Sequence, residues 1–166
     1  MHATIGVLGF GTMSSAIARG LIASGYPPSR LQWFNPSDRM TERAQDLGMA
    51  GRASSAEYLI AESDVVFLGM KPQQAPMSLL PLQGAFRPDQ IVVSMLAGLR
   101  IKDLATHLPA GLALVRVMPN TPVALGRGVT GAVLGDHLSP AGRALLRDVL
   151  ERLGEVFWID EDQMDA

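Results

Sequence analysis

The sequence has no cysteine, and only three of its 166 residues are histidines. Without cysteine, a disulfide framework, a thiolate metal site and a cysteine nucleophile are excluded. The histidines, His2, His107 and His137, stand too far apart in the sequence to indicate a metal cluster. We therefore expect no metal site, and any chemistry must come from other residues.

Strong net charge and long apolar runs are also missing. Fourteen basic and sixteen acidic residues give a formal charge of −2, and no run of like charge indicates a nucleic-acid arm or an acidic tail. The N-terminus leads into a strand-like run without a basic region, a signal-peptide core or an apolar stretch long enough to span a bilayer. We therefore expect a soluble cytoplasmic protein without a nucleic-acid or membrane partner.

The length and the hydrophobic content of 48% suit one domain with one buried core. Short apolar runs, of the kind that parallel sheets bury on both faces, alternate with segments at helical spacing. The predicted strands span residues 4–8, 31–34, 49–53, 65–70, 91–96, 113–118, 129–134 and 155–159. The predicted helices span residues 13–21, 38–47, 55–62, 101–108 and 140–153, with a proline-broken helix over 73–86. This order predicts a doubly wound, mostly parallel Rossmann-type α/β sheet with helices on both faces.

Two glycines separate the first predicted strand from the first predicted helix. Gly9 and Gly11 match the first two glycines of the G-x-G-x-x-G pattern in the context that the pattern requires. Gly9 permits a tight turn, and Gly11 lets the backbone approach a pyrophosphate, which faces the free N–H groups of the helix. Ser14 replaces the usual third glycine or alanine and is small enough for close packing. A turn that binds nothing is the alternative, and the placement favours a dinucleotide site.

The end of the second predicted strand bears on the choice of dinucleotide. Domains that prefer NAD carry a carboxylate there, which binds the ribose 2′-hydroxyl, whereas this chain has Asn35, followed by Ser37 and Arg39. Neutral Asn35 does not repel a 2′-phosphate, so NADP(H) is favoured, with NAD(H) as the alternative. Asp38 would oppose this interpretation if it turned inward. Ser37 as a helix cap and Arg39 as a solvated cation are the competing interpretations.

Three later strand ends carry residues suited to a ligand. They are Lys71-Pro72, Ala97-Gly98 and Asn120-Thr121, the last pair lying between two prolines. Ligands of an open parallel sheet lie outside the carboxyl ends of its strands, so we expect these pairs to converge on one cleft. The flanking prolines make a stiff turn that presents Asn120 with little loss of entropy. For Lys71, the spacing alone favours an ordinary solvated cation.

Four motifs, in their order and spacing, resemble pyrroline-5-carboxylate reductase: GFGTM at 9–13, FLGMKP at 67–72, VVSMLAG at 92–98 and VMPNTP at 117–122. The likeness continues through the last residues. It implies hydride transfer from NAD(P)H to the imine carbon of the small-molecule substrate 1-pyrroline-5-carboxylate, which gives L-proline. It also implies an NADP(H)-binding domain over residues 1–160 and, over 161–166, the start of a linker to a helical substrate and dimerisation domain absent from this chain.

The resemblance also implies a set of cofactor-binding residues. They are Gly9, Phe10, Gly11, Thr12, Met13, Asn35, Ser37, Met70, Lys71, Pro72, Leu96, Ala97 and Asn120, with the pyrophosphate at 10–13 and Asn120 near the nicotinamide. The chain departs from the family pattern at Gly69-Met70, where Ala-Val is usual, at Leu96, where a smaller residue is common, and at Ala56, where many members carry an asparagine.

In the family, the groups that hold the substrate belong to the helical domain, largely across a dimer interface. The resemblance therefore assigns no catalytic residue to this chain, which we expect to bind cofactor without efficient turnover. It implies a homo-oligomer for the complete protein. Two other hypotheses remain: a solitary NADP-binding sensor or partner-dependent module, and a related imine or β-hydroxyacid reductase, which the proline-bracketed Asn-Thr disfavours.

Overall fold

The structure is a computed structural model that describes residues 1–165. Within those residues, seven strands form one sheet: β1 Ile5–Leu8, β2 Leu31–Phe34, β3 Val65–Leu68, β4 Ile91–Ser94, β5 Ala113–Met118, β6 Gly128–Leu134 and β7 Gly154–Trp158. Their order is β2-β1-β3-β4-β5-β6-β7. β5 and β6 pair antiparallel, and the other neighbours pair parallel. The predicted fold class is confirmed.

The helices lie between these strands in the order that the alternation predicts. The α-helices of the described region are α1 Thr12–Ala23, α2 Thr41–Asp46, α3 Ala56–Ala61, α4 Ala75–Leu79, α5 Ile101–Ala105, α6 Pro140–Glu151 and α7 Glu161–Met164. Short 3-10 helices span Pro28–Arg30, Pro72–Gln74, Leu80–Ala85 and Thr121–Leu125. The Ser55 and Ser139 side chains accept hydrogen bonds from the first turns of α3 and α6, as expected of serine caps. The prolines of 73–86 divide that helix into 3-10, α and 3-10 turns.

The core has two layers because successive side chains of a strand point to opposite faces of the sheet. On one face, Val7, Phe67 and Val93 pack in a cluster with residues of α1 and α6. On the other face, Val66 and Val92 pack in a cluster with residues of α3, α4 and α5. Since both faces are covered, β1, β3 and β4 are buried along their whole length, which explains why Ser94 is the one polar residue in these three strands.

The predicted strand over residues 49–53 was wrong. Met49 is buried in the core, yet the segment forms no strand. It contacts the edge strand β2 through two hydrogen bonds of Trp33. The Ala53 N–H donates to the Trp33 carbonyl at 2.9 Å, and the Trp33 indole Nε1–H donates to the Ala50 carbonyl at 3.2 Å. The indole therefore takes an acceptor that a regular ladder would use, and Gly51 adds no side chain to hold a strand.

β3 and β4 end earlier than the sequence predicts. β3 stops at Leu68 and β4 at Ser94, two residues short of the predicted ends. Gly69 and Met70 after β3, and Met95 and Leu96 after β4, therefore belong to loops at the carboxyl edge of the sheet. This edge carries the candidate site.

The predicted linker over residues 161–166 contains a short helix. Within it, α7 lies against the outer part of the sheet, where the Met164 side chain is buried next to Gly131 of β6. Ala166, the last residue of that range, lies outside the described residues. The division at residue 160 stays a prediction.

Two kinds of feature are absent from the part of the chain that the structure describes. None of its helices combines the length and the apolar character that crossing a membrane requires. Its histidine, aspartate and glutamate side chains nowhere gather in threes around a position that a metal ion could take.

Candidate nucleotide-binding site

The site lies where the chain changes direction across the sheet. β2 pairs with one edge of β1, and β3 pairs with the other. The loops that follow β1 and β3 lead to α1 and α4, which lie on opposite faces of the sheet. Gly9 follows β1 with φ +93°, and Gly69 follows β3. A Cβ added to Gly9 would lie 2.4 Å from the Met70 nitrogen, and one added to Gly69 would lie 2.4 Å from the Gly9 carbonyl oxygen. Only glycines allow these two loops to touch.

Ser14 occupies the position of the usual third glycine and contributes to the same contact. Its side chain is buried, and its hydroxyl donates a hydrogen bond to the Gly9 carbonyl at 2.8 Å. A Cβ on Gly69 would also lie 2.4 Å from this hydroxyl. The hydroxyl therefore fills the space between α1 and the loop after β3. Its hydrogen bond also ties the turn at Gly9 to α1.

The amino end of α1 is open toward solvent. Gly11 is the N-cap residue, and no side chain of the described region caps the helix. The first turn holds no acidic residue, so the positive end of the helix dipole is not neutralised locally. A Cβ added to Gly11 would meet nothing within 4 Å. The first N–H groups of α1 therefore face free space across a residue that has no side chain.

Two cavities flank this helix end and share Gly11 and Gly69. The first, of about 590 Å³, lies between the ends of β1, β2 and β3. The second, of about 330 Å³, lies beside the ends of β4 and β5. Of the residues predicted to bind cofactor, the first cavity is lined by Gly9, Phe10, Gly11, Asn35, Met70 and Lys71. The second is lined by Gly11, Thr12, Met13, Leu96 and Ala97.

Ser37, Pro72 and Asn120 line neither cavity. Pro72 begins the 3-10 helix that follows Lys71. The Asn120 side-chain oxygen accepts a hydrogen bond from the Val129 N–H at 2.8 Å, which ties the proline-bracketed turn to β6. Ser37 is exposed, and the N-cap of α2 is Met40, so the alternative interpretation of Ser37 as a helix cap was wrong.

The Asn35 side chain holds in place the turn between β1 and α1, residues 9–11, which we call the glycine turn. Its Oδ1 accepts a hydrogen bond from the Phe10 N–H at 2.5 Å, and its Nδ2 donates one to the Phe10 carbonyl at 2.8 Å. The Phe10 ring is buried against Trp33, with ring centroids 5.4 Å apart. Both ends of the amide are thus engaged with one backbone residue. Asn35 therefore fixes the shape of this turn, and its predicted place among the cofactor-binding residues stays a prediction.

The variant Asn35→Leu tests this role. It keeps the approximate volume and removes both hydrogen bonds, so the free energy of unfolding should fall by about 1–3 kcal/mol, at about 0.5–1.5 kcal/mol for each bond. Urea unfolding measures the change. Ser37→Ala is the control, because Ser37 is exposed on the same loop, and it should leave stability unchanged. Equal stability of wild type and Asn35→Leu would contradict the role.

Arg52 brings a positive charge to the end of β2. Its Nη1 donates hydrogen bonds to the carbonyls of Asn35 at 3.0 Å and Pro36 at 3.2 Å, and its guanidinium lies 5.6 Å from the centre of the Phe34 ring. Those three residues line the first cavity. Arg52 forms no ion pair with any described residue. The sequence prediction missed it because the residue stands 17 positions after Asn35, beyond α2.

A buried arginine is part of the lining of the second cavity. The Arg116 side chain is only 2% exposed, and it pairs with Glu161 at 3.3 Å and Asp165 at 2.7 Å. Arg100 pairs with Asp165 at 2.8 Å and with Asp162 at 2.9 Å. We call these five residues the C-terminal charge cluster. The hydrogen bond from Arg116, with the charges of both arginines, holds the pKa of the Asp165 carboxyl below its ordinary value.

This lowered pKa predicts a pH dependence of stability. A carboxylate whose pKa is lower in the folded state stabilises the fold above its unfolded pKa of about 3.9, and the contribution is lost as pH falls through the folded value. Wild type should therefore exceed Asp165→Asn in stability at pH 7, and the difference should shrink below about pH 4. Urea unfolding at several pH values measures it. Asp46→Asn, at an exposed position of α2, serves as the control, and a difference that is independent of pH would contradict the assignment.

A larger cavity, of about 750 Å³, lies at the opposite edge of the sheet. Its lining includes Lys102, Asp136, His137 and Arg143, and it shares no residue with the glycine turn. Its charges are mixed in sign, and it lies at the amino end of β5 and the carboxyl ends of β6 and β7. The carboxyl ends of the parallel strands β1–β5, where ligands of such sheets bind, lie at the other side of the sheet. The two smaller cavities therefore form the candidate site.

These features together define a Rossmann-type dinucleotide-binding domain. They are the glycine turn where the strand order reverses, the uncapped end of α1 and the two cavities on either side of that end. Residues 4–98 match the family model described as NADP oxidoreductase, coenzyme F420-dependent, and the chain belongs to this family.

The chain is also similar to pyrroline-5-carboxylate reductases, which confirms the resemblance seen in the four motifs. The reductase of Vibrio alginolyticus is 35% identical over 97% of this chain and 59% of its own length. The solved reductase of Coxiella burnetii superposes with a TM-score of 0.88 and 28% identity, over 99% of this chain and 62% of that one. The Plasmodium falciparum enzyme, solved with NADP bound, has a TM-score of 0.87 and 25% identity, over 98% of this chain and 60% of that one. The chain thus spans less than two thirds of each relative.

Proposed function

We propose that this chain binds NADP(H) and forms the cofactor half of a pyrroline-5-carboxylate reductase, which reduces 1-pyrroline-5-carboxylate to L-proline. The observation that carries the proposal is the open Cβ position of Gly11 at the uncapped end of α1. A pyrophosphate can approach the N–H groups of Gly11, Thr12 and Met13 there, because no side chain stands between them. The similarity to reductases of this name supports the substrate.

The two cavities suit the two halves of a dinucleotide. The first holds the adenosine half, and Arg52, which donates hydrogen bonds to the lining residues Asn35 and Pro36, supplies the cation that suits a 2′-phosphate. The second holds the nicotinamide half between Thr12–Met13, Met95–Ala97 and Met118–Pro119. Ala56 lines the first cavity at a position where an asparagine is usual in the family, and its methyl group cannot hydrogen-bond to the cofactor. We therefore assign the preference for NADP(H) to Arg52.

The bound cofactor supplies the hydride that reduces the imine carbon. The residues of this chain bind and orient the cofactor, and the apolar side chains of Met13, Met95 and Leu96 exclude water from the second cavity. The substrate-holding groups belong to a helical domain that follows residues 161–166, and the complete protein is a cytoplasmic homo-oligomer assembled through that domain. This chain alone therefore binds cofactor and turns over slowly.

Calorimetry with NADPH and NADH tests the proposal on the chain itself. We expect heat from NADPH binding and weaker binding of NADH. In an assay with 1-pyrroline-5-carboxylate, the chain alone should be nearly inactive, and fusion to the part of the Vibrio alginolyticus relative outside the matched region should restore turnover. A folded chain that binds neither nucleotide would refute the proposal. Binding without turnover in the fusion would favour the solitary NADP-binding module.

A further inference from the structure

The C-terminal charge cluster connects three separate parts of the chain. Arg116 lies on β5, Arg100 precedes α5, and the three carboxylates lie on α7 or directly after it. The two oxygens of Asp165 divide between the two arginines, with Oδ1 on Arg116 at 2.7 Å and Oδ2 on Arg100 at 2.8 Å. A single carboxylate thus holds both cations, so each cation is less costly to order than in an isolated pair.

Glu161 makes a second bridge between the same parts. Its Oε1 accepts from Arg116 Nη1 at 3.3 Å and from the Ile101 backbone N–H at 2.8 Å. Ile101 is the first residue of α5, where N–H groups have no partner within the helix. The carboxylate is therefore held by β5 and by the start of α5 at the same time.

Both of these parts continue into the walls of the second cavity. The residues that precede α5 include Met95–Ala97, and those that follow Arg116 are Val117–Pro119. All of them line the second cavity, and Arg116 itself is part of the lining. The cluster thus braces the two loops that enclose the nicotinamide half in the proposed function.

We propose that Arg116 is a positioning residue that, through the C-terminal charge cluster, sets the separation of these two loops and so the affinity for the nicotinamide half of the dinucleotide. The inference rests on the proposed function. It adds that the position of α7 regulates the affinity of the second cavity for its ligand. With Arg116 the cluster has two cations and three carboxylates. Without it, three carboxylates face one cation, and their repulsion releases α7 from the sheet.

Two ligands separate this role from a general loss of structure. NADPH occupies both cavities, whereas adenosine 2′,5′-bisphosphate occupies the first alone. Arg116→Met removes the cation and leaves carboxylates that water can reach, since Glu161 and Asp165 are 22% and 28% exposed. We expect its NADPH affinity to fall by about five- to tenfold, within the range of couplings between sites. The affinity for adenosine 2′,5′-bisphosphate should stay within about twofold of wild type.

Two further variants complete the comparison. Arg116→Lys keeps the charge without the two-pronged geometry and should recover part of the NADPH affinity. Arg147→Met breaks the exposed pair of Arg147 with Glu151 on α6 and should change neither affinity. If Arg116→Met does not fold, Asp165→Asn takes its place, because it leaves Arg116 paired with Glu161, and it should weaken NADPH selectively as well.

Calorimetry with each ligand gives a clear result for every variant. Selective weakening of NADPH supports the inference. Equal weakening of both ligands, or unchanged NADPH affinity, overturns it and leaves the proposed function standing. Failure of wild type to bind NADPH refutes the proposed function and the inference together.

Discussion

Gly11→Ala is expected to remove most NADPH binding while leaving the free energy of unfolding nearly unchanged. The residue has φ −118°, which any amino acid adopts, and an added Cβ meets no protein atom within 4 Å. The methyl group would instead occupy the space through which a pyrophosphate reaches the N–H groups of α1. The loss of one charge-assisted hydrogen bond, worth about 1.5–3 kcal/mol, lowers affinity by about ten- to a hundredfold. Calorimetry and urea unfolding measure the two quantities on the same sample.

Gly9→Ala is the matched counterpart, with the opposite balance of effects. Gly9 has φ +93°, and its Cβ would lie 2.4 Å from the Met70 backbone nitrogen, which cannot move aside as a flexible side chain could. Left-handed backbone costs about 1–2 kcal/mol and overpacking about 1–3 kcal/mol, so the free energy of unfolding should fall by about 2–5 kcal/mol. Wild-type NADPH affinity in Gly11→Ala would contradict a phosphate site there, and wild-type stability in Gly9→Ala would contradict the contact between the loops.

Arg52→Gln should reduce the preference for NADPH over NADH by about ten- to a hundredfold, the range expected when a charged hydrogen bond to a phosphate is lost. Hydrogen bonds to the carbonyls of Asn35 and Pro36 and contact with the Phe34 ring hold the guanidinium against three residues that line the first cavity. NADH has no 2′-phosphate, so its affinity should change little. The ratio of the two dissociation constants, measured by calorimetry, isolates the effect from any change in stability.

Arg39→Gln is the control for Arg52→Gln, because Arg39 was the arginine that the sequence suggested. It is exposed in the loop after β2 and makes no ion pair with any described residue. We expect this variant to retain the wild-type preference. If it lost the preference and Arg52→Gln kept it, the assignment to Arg52 would be wrong and the sequence-based hypothesis would hold.

Much of the fold was readable from the sequence because the pattern is local. A short, mostly apolar run that ends at turn-forming residues marks a strand, so β2 and β5 were predicted to the residue, and so was the start of α6 at Pro140. The strand predicted over 49–53 failed for a reason that is not local. Whether such a run joins a sheet depends on its neighbour, and the Trp33 indole had already taken the Ala50 carbonyl.

In the candidate site, too, local features were predicted from the sequence and contacts between distant residues were not. The glycine spacing and its position between strand and helix indicated the turn, since both the left-handed backbone at Gly9 and the open approach at Gly11 are requirements on single residues. The sequence placed Asn35 among the cofactor-binding residues by its position alone, and its role in holding the turn was not predicted. Its actual partner, the Phe10 backbone, is 25 residues away along the chain, and only the parallel pairing of β1 with β2 brings the two together.

The amino-acid pattern alone was enough to establish an α/β sheet with a nucleotide turn, because burial, helix spacing and backbone freedom are properties of short segments. The folded chain was needed to show that Arg52 stands at the end of β2 and that Arg116 meets carboxylates 45 and 49 residues away. Charges act through space, and their neighbours depend on how the strands are ordered in the sheet. The spacing of residues along the sequence does not predict which charges become neighbours.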